Sequence, residues 1–474
     1  MLRRRLTRNT LSKIAGEIGS RVLGLLFYVF FARWLGANGL GLYSSALAYA
    51  SLFAALVDLG TNSIITRDLA RNRSRLAEIV GHVNSLKSVS VLVTLSAIGV
   101  SLFLLPERGG GKTLVMMMGL LIVGNGLLDY FAAVLSGLEF MGLEAVLRIT
   151  NKALGLLGAA AGFHLFGSLR STVAGMLVGC ALNVIGGYVL LHRIGAPWRP
   201  RWNWNWHKGL LSQSLPLMTS WIFWNLYLNQ SIVLLTWLKT SMQMVGWFAA
   251  GLRLIDVLRG IPSLLTGAFF PVLADFSRTE PNRFQGLSLF LVEWTLIVSL
   301  PLATGVSLLA APIIRLIFGA GYEGSGPVLA LAIWSVIGFF VNNVLINLLI
   351  ILEMPKRTAA GAAFVMLIHL VLNLALVPAR GLAGAALALV LSESAYLVFN
   401  VILLRRSLRL LSRPMLAFIW RPLAACLPMA AVLSLRSSWN AIAGVLVGAV
   451  VYGGTLFLLK GIPARTFPGS TTKG

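Results

Sequence analysis

Apolar segments of about 20 residues recur along almost the whole of this 474-residue chain. A helix of that length spans the hydrocarbon core of a bilayer, because each residue adds about 1.5 Å. Charged residues make up only 11% of the chain, whereas about a quarter of a soluble domain is charged. The sequence therefore predicts an all-α polytopic membrane protein with about 14 transmembrane helices. The predicted spans are 13–33, 40–65, 83–105, 113–137, 146–167, 171–192, 213–238, 245–270, 286–311, 327–352, 358–378, 381–404, 415–435 and 439–459.

The distribution of Lys and Arg between these spans predicts the orientation of the chain. Of the 39 basic residues, 28 lie in segments on the same side as the N-terminus, Lys87 among them, and 8 lie on the other side. Cytoplasmic loops collect Lys and Arg, so we expect both termini to be cytoplasmic. The same bias accounts for the net charge of +24 without a nucleic-acid partner. We expect a multi-pass protein of the inner (cytoplasmic) membrane.

Short matches between the two halves of the chain indicate an internal repeat. Trp34-Leu35 and Trp237-Leu238 both stand between the first two predicted helices of a half. Later matches follow at a similar offset of about 205–210 residues, in the same order. The sequence therefore predicts two six-helix pseudo-symmetric lobes, 1–200 and 201–406, related as parallel repeats. Residues 407–474 would add two further helices and a cytoplasmic tail.

The predicted span 245–270 carries three charged residues, Arg253, Asp256 and Arg259. One charge at the centre of a membrane helix costs about 2.5–3.5 kcal/mol on insertion scales. A single carboxylate can pair with only one guanidinium, which leaves a surplus positive charge. One interpretation is an internal ion pair that joins helices, with Arg259 extending to the interface. The other, which we favour, is a cationic cavity that receives an anionic group, because Arg binds phosphate oxygens in a bidentate manner.

Other predicted spans also carry polar side chains that a cavity would use. Isolated Asn and Ser in such positions are more typical of hydrogen bonds between helices. The candidate cavity-lining residues are Glu17, Tyr28, Asp58, Trp221, Asn225, Asn229 and Asp256, and the candidates for ion coupling are Asp129, Glu293 and Glu393. The chain carries no HExxH, CxxC, GxSxG or Walker motif. We therefore expect a transporter without catalytic residues, metal site or cofactor, not an enzyme.

Several stretches, in this order and spacing, resemble the polysaccharide or O-antigen flippases of the MOP superfamily. They are residues 18–71, 215–229, 245–262, 311–336 and 370–394, and the resemblance covers about 10–406. It implies two six-helix lobes arranged as in MATE-like multidrug transporters. It also implies that the protein flips an undecaprenyl-pyrophosphate-linked oligosaccharide across the cytoplasmic membrane by alternating access, for O-antigen, capsule or exopolysaccharide biosynthesis.

The resemblance also implies which residues bind the pyrophosphate. Arg21 and Arg253 stand at places comparable to the cavity arginines of related lipid II flippases, and Arg259 and Arg33 are further candidates. The expected partners are the lipid-linked glycan and the bilayer, with glycan polymerase or export machinery as a further candidate. We expect a monomer.

Two other functions compete with this prediction. A MATE-like multidrug/cation antiporter would need carboxylates in its cavity that are not neutralised by arginine, and Asp256 has two arginine neighbours in the sequence. An O-antigen polymerase or ligase would need a large outer loop, which the predicted topology lacks. We expect the flippase.

Overall fold

The computed structural model describes residues 2–103, 111–238, 240–405, 413–435 and 440–461, with side chains described from residue 24 onwards and not for 413–419. These residues form helices, turns and loops, with no strand in the described ranges. The chain divides into two compact units, Met1–Thr236 and Trp237–Gly474. Each unit is described separately below.

The first unit contains eight α-helices. They are α1 (Leu2–Ser51), α2 (Ala54–Asp58), α3 (Thr61–Arg71), α4 (Leu76–Ser101), α5 (Gly111–Gly137), α6 (Met141–Phe166), α7 (Leu169–Arg193) and α8 (Trp204–Trp237), whose last residue falls in the second unit. α1 has 50 residues, more than twice the number needed to span the hydrocarbon core. Its backbone breaks at Gly36, where φ is 64° and ψ is 179°. The predicted spans 13–33 and 40–65 meet around this glycine.

The second predicted span, 40–65, is not a continuous helix. It is interrupted between Ser51 and Thr61, and only the five residues of α2 are helical within the interruption. Leu59 and Gly60 both have positive φ, 54° and 69°. A Cβ atom on Gly60 would lie 2.6 Å from the backbone oxygen of Ser214 in α8. The break is therefore held by close packing against α8, which only glycine permits here.

Helices α6 and α7 form a tightly packed hairpin. A Cβ atom on Gly175 would lie 1.8 Å from the backbone oxygen of Gly158, and Cβ atoms on Gly162 and Gly179 would lie 2.1 and 2.3 Å from backbone oxygens of the opposite helix. Small residues let membrane helices approach in this way. Ser168 begins α7 with a capping box, its hydroxyl accepting from the backbone N–H of residue 171.

The second unit contains nine α-helices. They are α9 (Met242–Leu258), α10 (Gly260–Thr279), α11 (Pro281–Leu308), α12 (Ala310–Phe318), α13 (Ser325–Ala332), α14 (Ser335–Ile351), α15 (Pro355–Leu404), α16 (Arg413–Ser434) and α17 (Ala441–Leu458). The 50-residue α15 is broken at Gly381, where φ is 54° and ψ is −128°. The predicted span 245–270 is likewise interrupted at Arg259, because Pro262 has no N–H for the carbonyl four residues before it.

Two apolar clusters organise the second unit. One joins α10, α11, α14 and α15, with Leu291 and Leu348 at its centre. The other packs α16 and α17 against α11 and includes Cys426 and Met429. The hydroxyl of Tyr452 in α17 donates to the backbone oxygen of Ile297 in α11 at 2.8 Å. The last two helices are thus attached to this unit by buried contacts.

Eight helices of the described residues are long and apolar enough to cross a membrane, or nine if the bent pair α13 and α14 forms one span. The 50-residue α15 counts as one of them, although two predicted spans meet in it. The count of 14 helices, the lobe boundaries and the cytoplasmic location of both termini stay predictions.

Candidate functional site

The first unit encloses a cavity of about 740 Å³ between the broken second span and helices α5, α6 and α8. Its polar lining residues are Asp58, Asn62, Asn125, Asp129, Glu144, Arg148, Trp221 and Asn225. Apolar lining comes from small residues such as Ala54 and Ala132. A cleft with a few converging polar groups is the usual form of a small-molecule site.

Lys87 holds the broken backbone at one edge of this cavity. It projects from α4, and its ammonium donates to the backbone oxygens of Val57 and Asp58, both at 3.0 Å. The Asp58 carboxylate lies 3.5 Å away and completes an ion pair. Only 1% of the Lys87 side chain is exposed, against 28% for Asp58. A cation at the C-terminal end of a helix is favourable because unpaired carbonyls collect there.

Arg148 in α6 lies between two carboxylates. Its Nε donates to Oε1 of Glu144 at 3.0 Å, and Nη1 donates to Oδ1 of Asp129 in α5 at 3.2 Å. The Glu144 carboxylate also accepts from the hydroxyl of Ser136 at 2.6 Å. The guanidinium is about half exposed, so it is accessible from the cavity while it is held by both partners.

Amide and aromatic side chains supply the remaining polar lining. Asn151 donates to Oδ1 of Asn125 at 2.8 Å, which orients that amide. In α8, Asn225 donates to the backbone oxygen of Trp221, one turn earlier, and the Trp221 side chain is exposed. Amides and an aromatic face together suit a ligand with hydroxyl groups and apolar ring surfaces.

The charges of the lining are mixed. Asp58, Asp129 and Glu144 contribute three carboxylates, and Arg148 contributes one guanidinium. Each carboxylate has a basic partner, because Lys87 pairs with Asp58 and Arg148 is shared by the other two. This cavity is therefore different from the cationic cavity expected around Arg253.

Four of the candidate residues from the sequence line this one cavity: Asp58, Asp129, Trp221 and Asn225. Asn229 lies one turn further along α8 and donates to the backbone oxygen of Asn225. The remaining candidates of the first unit are not among the lining residues. Tyr28 is buried, with its hydroxyl 3.5 Å from that of Ser44, and Arg33 is exposed near the break in α1. The side chains of Glu17 and Arg21 lie outside the described residues.

In the second unit, the three charges of the predicted span 245–270 separate into different roles. Asp256 pairs with Arg259 at 3.0 Å, and the Arg259 guanidinium lies 4.9 Å from the centre of the Phe339 ring. The internal ion pair, one of the two interpretations of this segment, is therefore present. Arg253 lies half-buried on α9, one turn before Asp256.

The two further candidates for ion coupling lie in the core of the second unit. Glu393 in α15 is buried, and its Oε2 accepts from Nδ2 of Asn342 at 2.9 Å. Asn400 in turn donates to Oδ1 of Asn342 at 3.0 Å, so these side chains form a buried network. Glu293 lies half-buried in α11. Among the described residues, no group of three or more His, Cys, Asp or Glu is arranged to hold a metal ion.

Sequence reasoning missed Lys87, Glu144 and Arg148. The charge count assigned both basic residues to cytoplasmic segments, whereas Lys87 is buried and Arg148 lines the cavity. A usable signal was present for one pair, because Glu144 and Arg148 are four residues apart and so share a helix face. The pairing of Lys87 with Asp58 joins residues 29 apart and leaves no local pattern.

The sequence matches two family models. The family described as polysaccharide biosynthesis protein matches over residues 6–277, which is more than half of the chain. The family described as lipid II flippase MurJ matches over residues 146–452. A curated relative, the probable low-salt glycan biosynthesis flippase Agl15 of Haloferax volcanii, is 22% identical over 397 residues, covering 82% of this chain and 81% of the relative.

Two solved structures have similar folds, one a flippase and the other a multidrug transporter. A lipid II flippase MurJ in an inward closed conformation superposes with a TM-score of 0.76 at 16% identity, covering 94% of this chain and 98% of the flippase. An inward-facing MATE family multidrug resistance transporter of the MOP superfamily superposes with a TM-score of 0.67 at 12% identity, covering 82% of this chain and 94% of the transporter. The chain belongs to the polysaccharide biosynthesis protein family and to the lipid II flippase MurJ family, each matched over more than half of its length, and is therefore a flippase.

Proposed function

We propose that this flippase moves an undecaprenyl-pyrophosphate-linked oligosaccharide across the cytoplasmic membrane by alternating access. The glycan would serve O-antigen, capsule or exopolysaccharide biosynthesis. The glycan biosynthesis role in the name of the archaeal relative and the match to the MurJ family both support this proposal. The protein would act as a monomer that passes its product to polymerase or export machinery.

The observation that carries the proposal is the combination of groups around the cavity of the first unit. Arg148 offers a guanidinium, whose planar fork suits phosphate oxygens. Trp221 and the amides of Asn125 and Asn225 line the same space and suit sugar rings and hydroxyls. A phosphate-linked sugar has both kinds of surface, and a cavity of about 740 Å³ is within the range of ligand sites.

Arginines elsewhere in the chain would contribute to the same transport cycle. Arg253 is a second candidate for the pyrophosphate, because it is a guanidinium that lies half-buried in a membrane helix of the other unit. Arg21 and Arg33 remain candidates through the family resemblance. Each is tested by the same substitution to Gln, which keeps a polar side chain and removes the charge.

Reconstituted protein tests the proposal directly. A fluorescent undecaprenyl-pyrophosphate-linked oligosaccharide in proteoliposomes is exposed to a membrane-impermeant quencher, and the rate at which labelled lipid changes leaflet is measured. Arg148→Gln and Arg253→Gln should each slow this rate by about tenfold or more, because a hydrogen bond to a charged group contributes about 1.5–3 kcal/mol. Arg278→Gln is the matched control, since it also removes a guanidinium from an ion pair, the exposed one with Glu353.

If the double variant Arg148→Gln/Arg253→Gln flips the labelled lipid as fast as the unchanged protein, neither guanidinium binds the substrate. If the unchanged protein moves no labelled lipid while the empty liposomes remain sealed, the substrate assignment is wrong.

One observation favours a second candidate, a MATE-like multidrug/cation antiporter. Three carboxylates line the cavity against one guanidinium, and carboxylates attract cations. Each of them, however, is already paired with Lys87 or Arg148. Expression in a drug-sensitive host separates the two functions: the flippase should leave the inhibitory concentration of cationic drugs unchanged, and a severalfold rise would favour the antiporter.

A further inference from the structure

The two carboxylates that hold Arg148 are not equivalent. Glu144 lies one turn before Arg148 on the same helix, its side chain is only 6% exposed, and its second oxygen accepts from Ser136. Asp129 comes from α5, and 58% of its side chain is exposed. Glu144 therefore fixes the guanidinium, whereas Asp129 is a partner that a ligand in the cavity can reach and replace.

The geometry of the guanidinium makes such an exchange competitive. Glu144 takes the Nε edge, and Asp129 accepts from Nη1. A phosphate group binds arginine best through two N–H groups at once. A bidentate phosphate on the two terminal amino groups of Arg148 shares Nη1 with Asp129, so the two anions compete for that amino group.

The charge of the site determines what must accompany the exchange. The positive charge of Lys87 balances the negative charge of Asp58. Arg148 balances only one of its two partners, Asp129 and Glu144, so one net negative charge remains on the lining. Two further charged groups act on Asp129: the Asp58 carboxylate repels it, and Lys152, from α6, attracts it. An anion that enters meets this negative charge, and a proton on the Asp129 carboxylate removes both the repulsion and the competition for Nη1.

We propose that Arg148 exchanges Asp129 for a pyrophosphate group and that Asp129 takes up one proton from water as the anion binds. This inference rests on the proposed function and deepens it, because it assigns the headgroup site and a coupling proton to the same pair of side chains. No covalent bond changes: the proton adds to a carboxylate oxygen of Asp129, and the anion takes its hydrogen bond. By reciprocal linkage, proton binding tightens anion binding to the same extent.

Calorimetry on the purified full-length protein tests the exchange. Farnesyl pyrophosphate is the probe, titrated between about pH 6 and pH 8 in buffers of different ionisation enthalpy, which gives the protons taken up per bound probe. The terminal phosphate of the probe also titrates in this range, so the proton of Asp129 is read as a difference between proteins. The unchanged protein should take up one proton more per bound probe than Asp129→Asn, and its affinity should rise more steeply as the pH falls. Asp129→Asn should bind more tightly at about pH 8, and Arg148→Gln should lose binding by tenfold or more.

Controls distinguish a free anion from a lipid headgroup as the ligand. Inorganic pyrophosphate replaces the probe in a parallel titration. If it binds as tightly as farnesyl pyrophosphate, the site recognises the anion alone; if it binds more weakly, the site recognises a lipid headgroup. Arg278→Gln should keep the proton uptake of the unchanged protein. The exchange is overturned if the unchanged protein and Asp129→Asn take up the same number of protons per bound probe at every pH. If the protein binds the probe with proton uptake but does not flip the full substrate in proteoliposomes, the transport role is refuted and the anion site is retained.

Discussion

Replacing Lys87 with Met removes the ammonium from the break in the second span while it keeps a long unbranched side chain. The ammonium lies in a fully buried position and donates to the carbonyls of Val57 and Asp58. It also pairs with the Asp58 carboxylate at 3.5 Å. The substitution therefore tests whether this one cation holds the interrupted backbone beside the cavity.

The structure sets the magnitude of the effect. Breaking a buried ion pair by removing one partner costs about 3–5 kcal/mol. Here the Val57 carbonyl keeps the hydroxyl of Ser90, the Asp58 carbonyl keeps that of Thr61, and the Asp58 carboxylate is 28% exposed. These remaining contacts place the expected loss at the lower end, about 3 kcal/mol. For a unit of this size that corresponds to a fall in Tm of roughly 6–12 °C.

Thermal unfolding of the purified protein in detergent, followed by tryptophan fluorescence, measures this loss. Lys152→Met is the matched control: it removes an ammonium from an exposed position and should change stability by less than about 0.5 kcal/mol. Asp58→Asn in combination with Lys87→Met should recover part of the loss, since no unpaired charge is left. Additive effects of the two single substitutions, within about 0.5 kcal/mol, would refute the ion pair as the source of stability.

Three further substitutions test other parts of the fold. Gly60→Ala should lower the free energy of unfolding by more than 1 kcal/mol, because φ is positive and a Cβ atom would lie 2.6 Å from the Ser214 oxygen; thermal unfolding measures it. Gly175→Ala should separate α6 from α7 and reduce the yield of folded protein in size-exclusion chromatography, whereas Gly186→Ala, on an open face of α7, should not. The Glu323 carboxylate accepts hydrogen bonds from the backbone N–H groups of Glu323 and Gly321, which lower its pKa below the usual value of 4.5. The stability that these bonds contribute is therefore present above that pH and is lost as the pH falls through the lowered pKa. The stability difference between Glu323→Gln and the unchanged protein should therefore be constant above about pH 5 and shrink at lower pH.

Hydropathy alone predicted the position of many helices. The predicted spans 171–192 and 286–311 correspond to α7 (Leu169–Arg193) and α11 (Pro281–Leu308) within a few residues. These helices are long and apolar, and Ser168 or a proline marks their beginning. The pattern is local, so it can be read from the sequence.

The breaks within spans could not be predicted in the same way. Apolar residues continue through Leu59, and the interruption depends on Lys87 in α4 and on the backbone of α8, which approaches Gly60. The cavity also depends on contacts between residues that are distant in the sequence. Asp129 was predicted as a candidate, but its partner Arg148 was counted among the basic residues of a cytoplasmic loop. Hydropathy and charge counts describe each segment separately and carry no information on which helices meet.

Each unit has a cation at an interrupted helix, but the two cations come from different places and have different partners. An interruption within a membrane span leaves backbone carbonyls that need partners. At the end of α2 the cation comes from another helix, because Lys87 donates to the last carbonyls and pairs with Asp58. At the end of α9 it is local, because Arg259 follows the last helical residue and pairs with Asp256 three residues before it. Both cations are thereby part of the contacts that hold the interrupted helices.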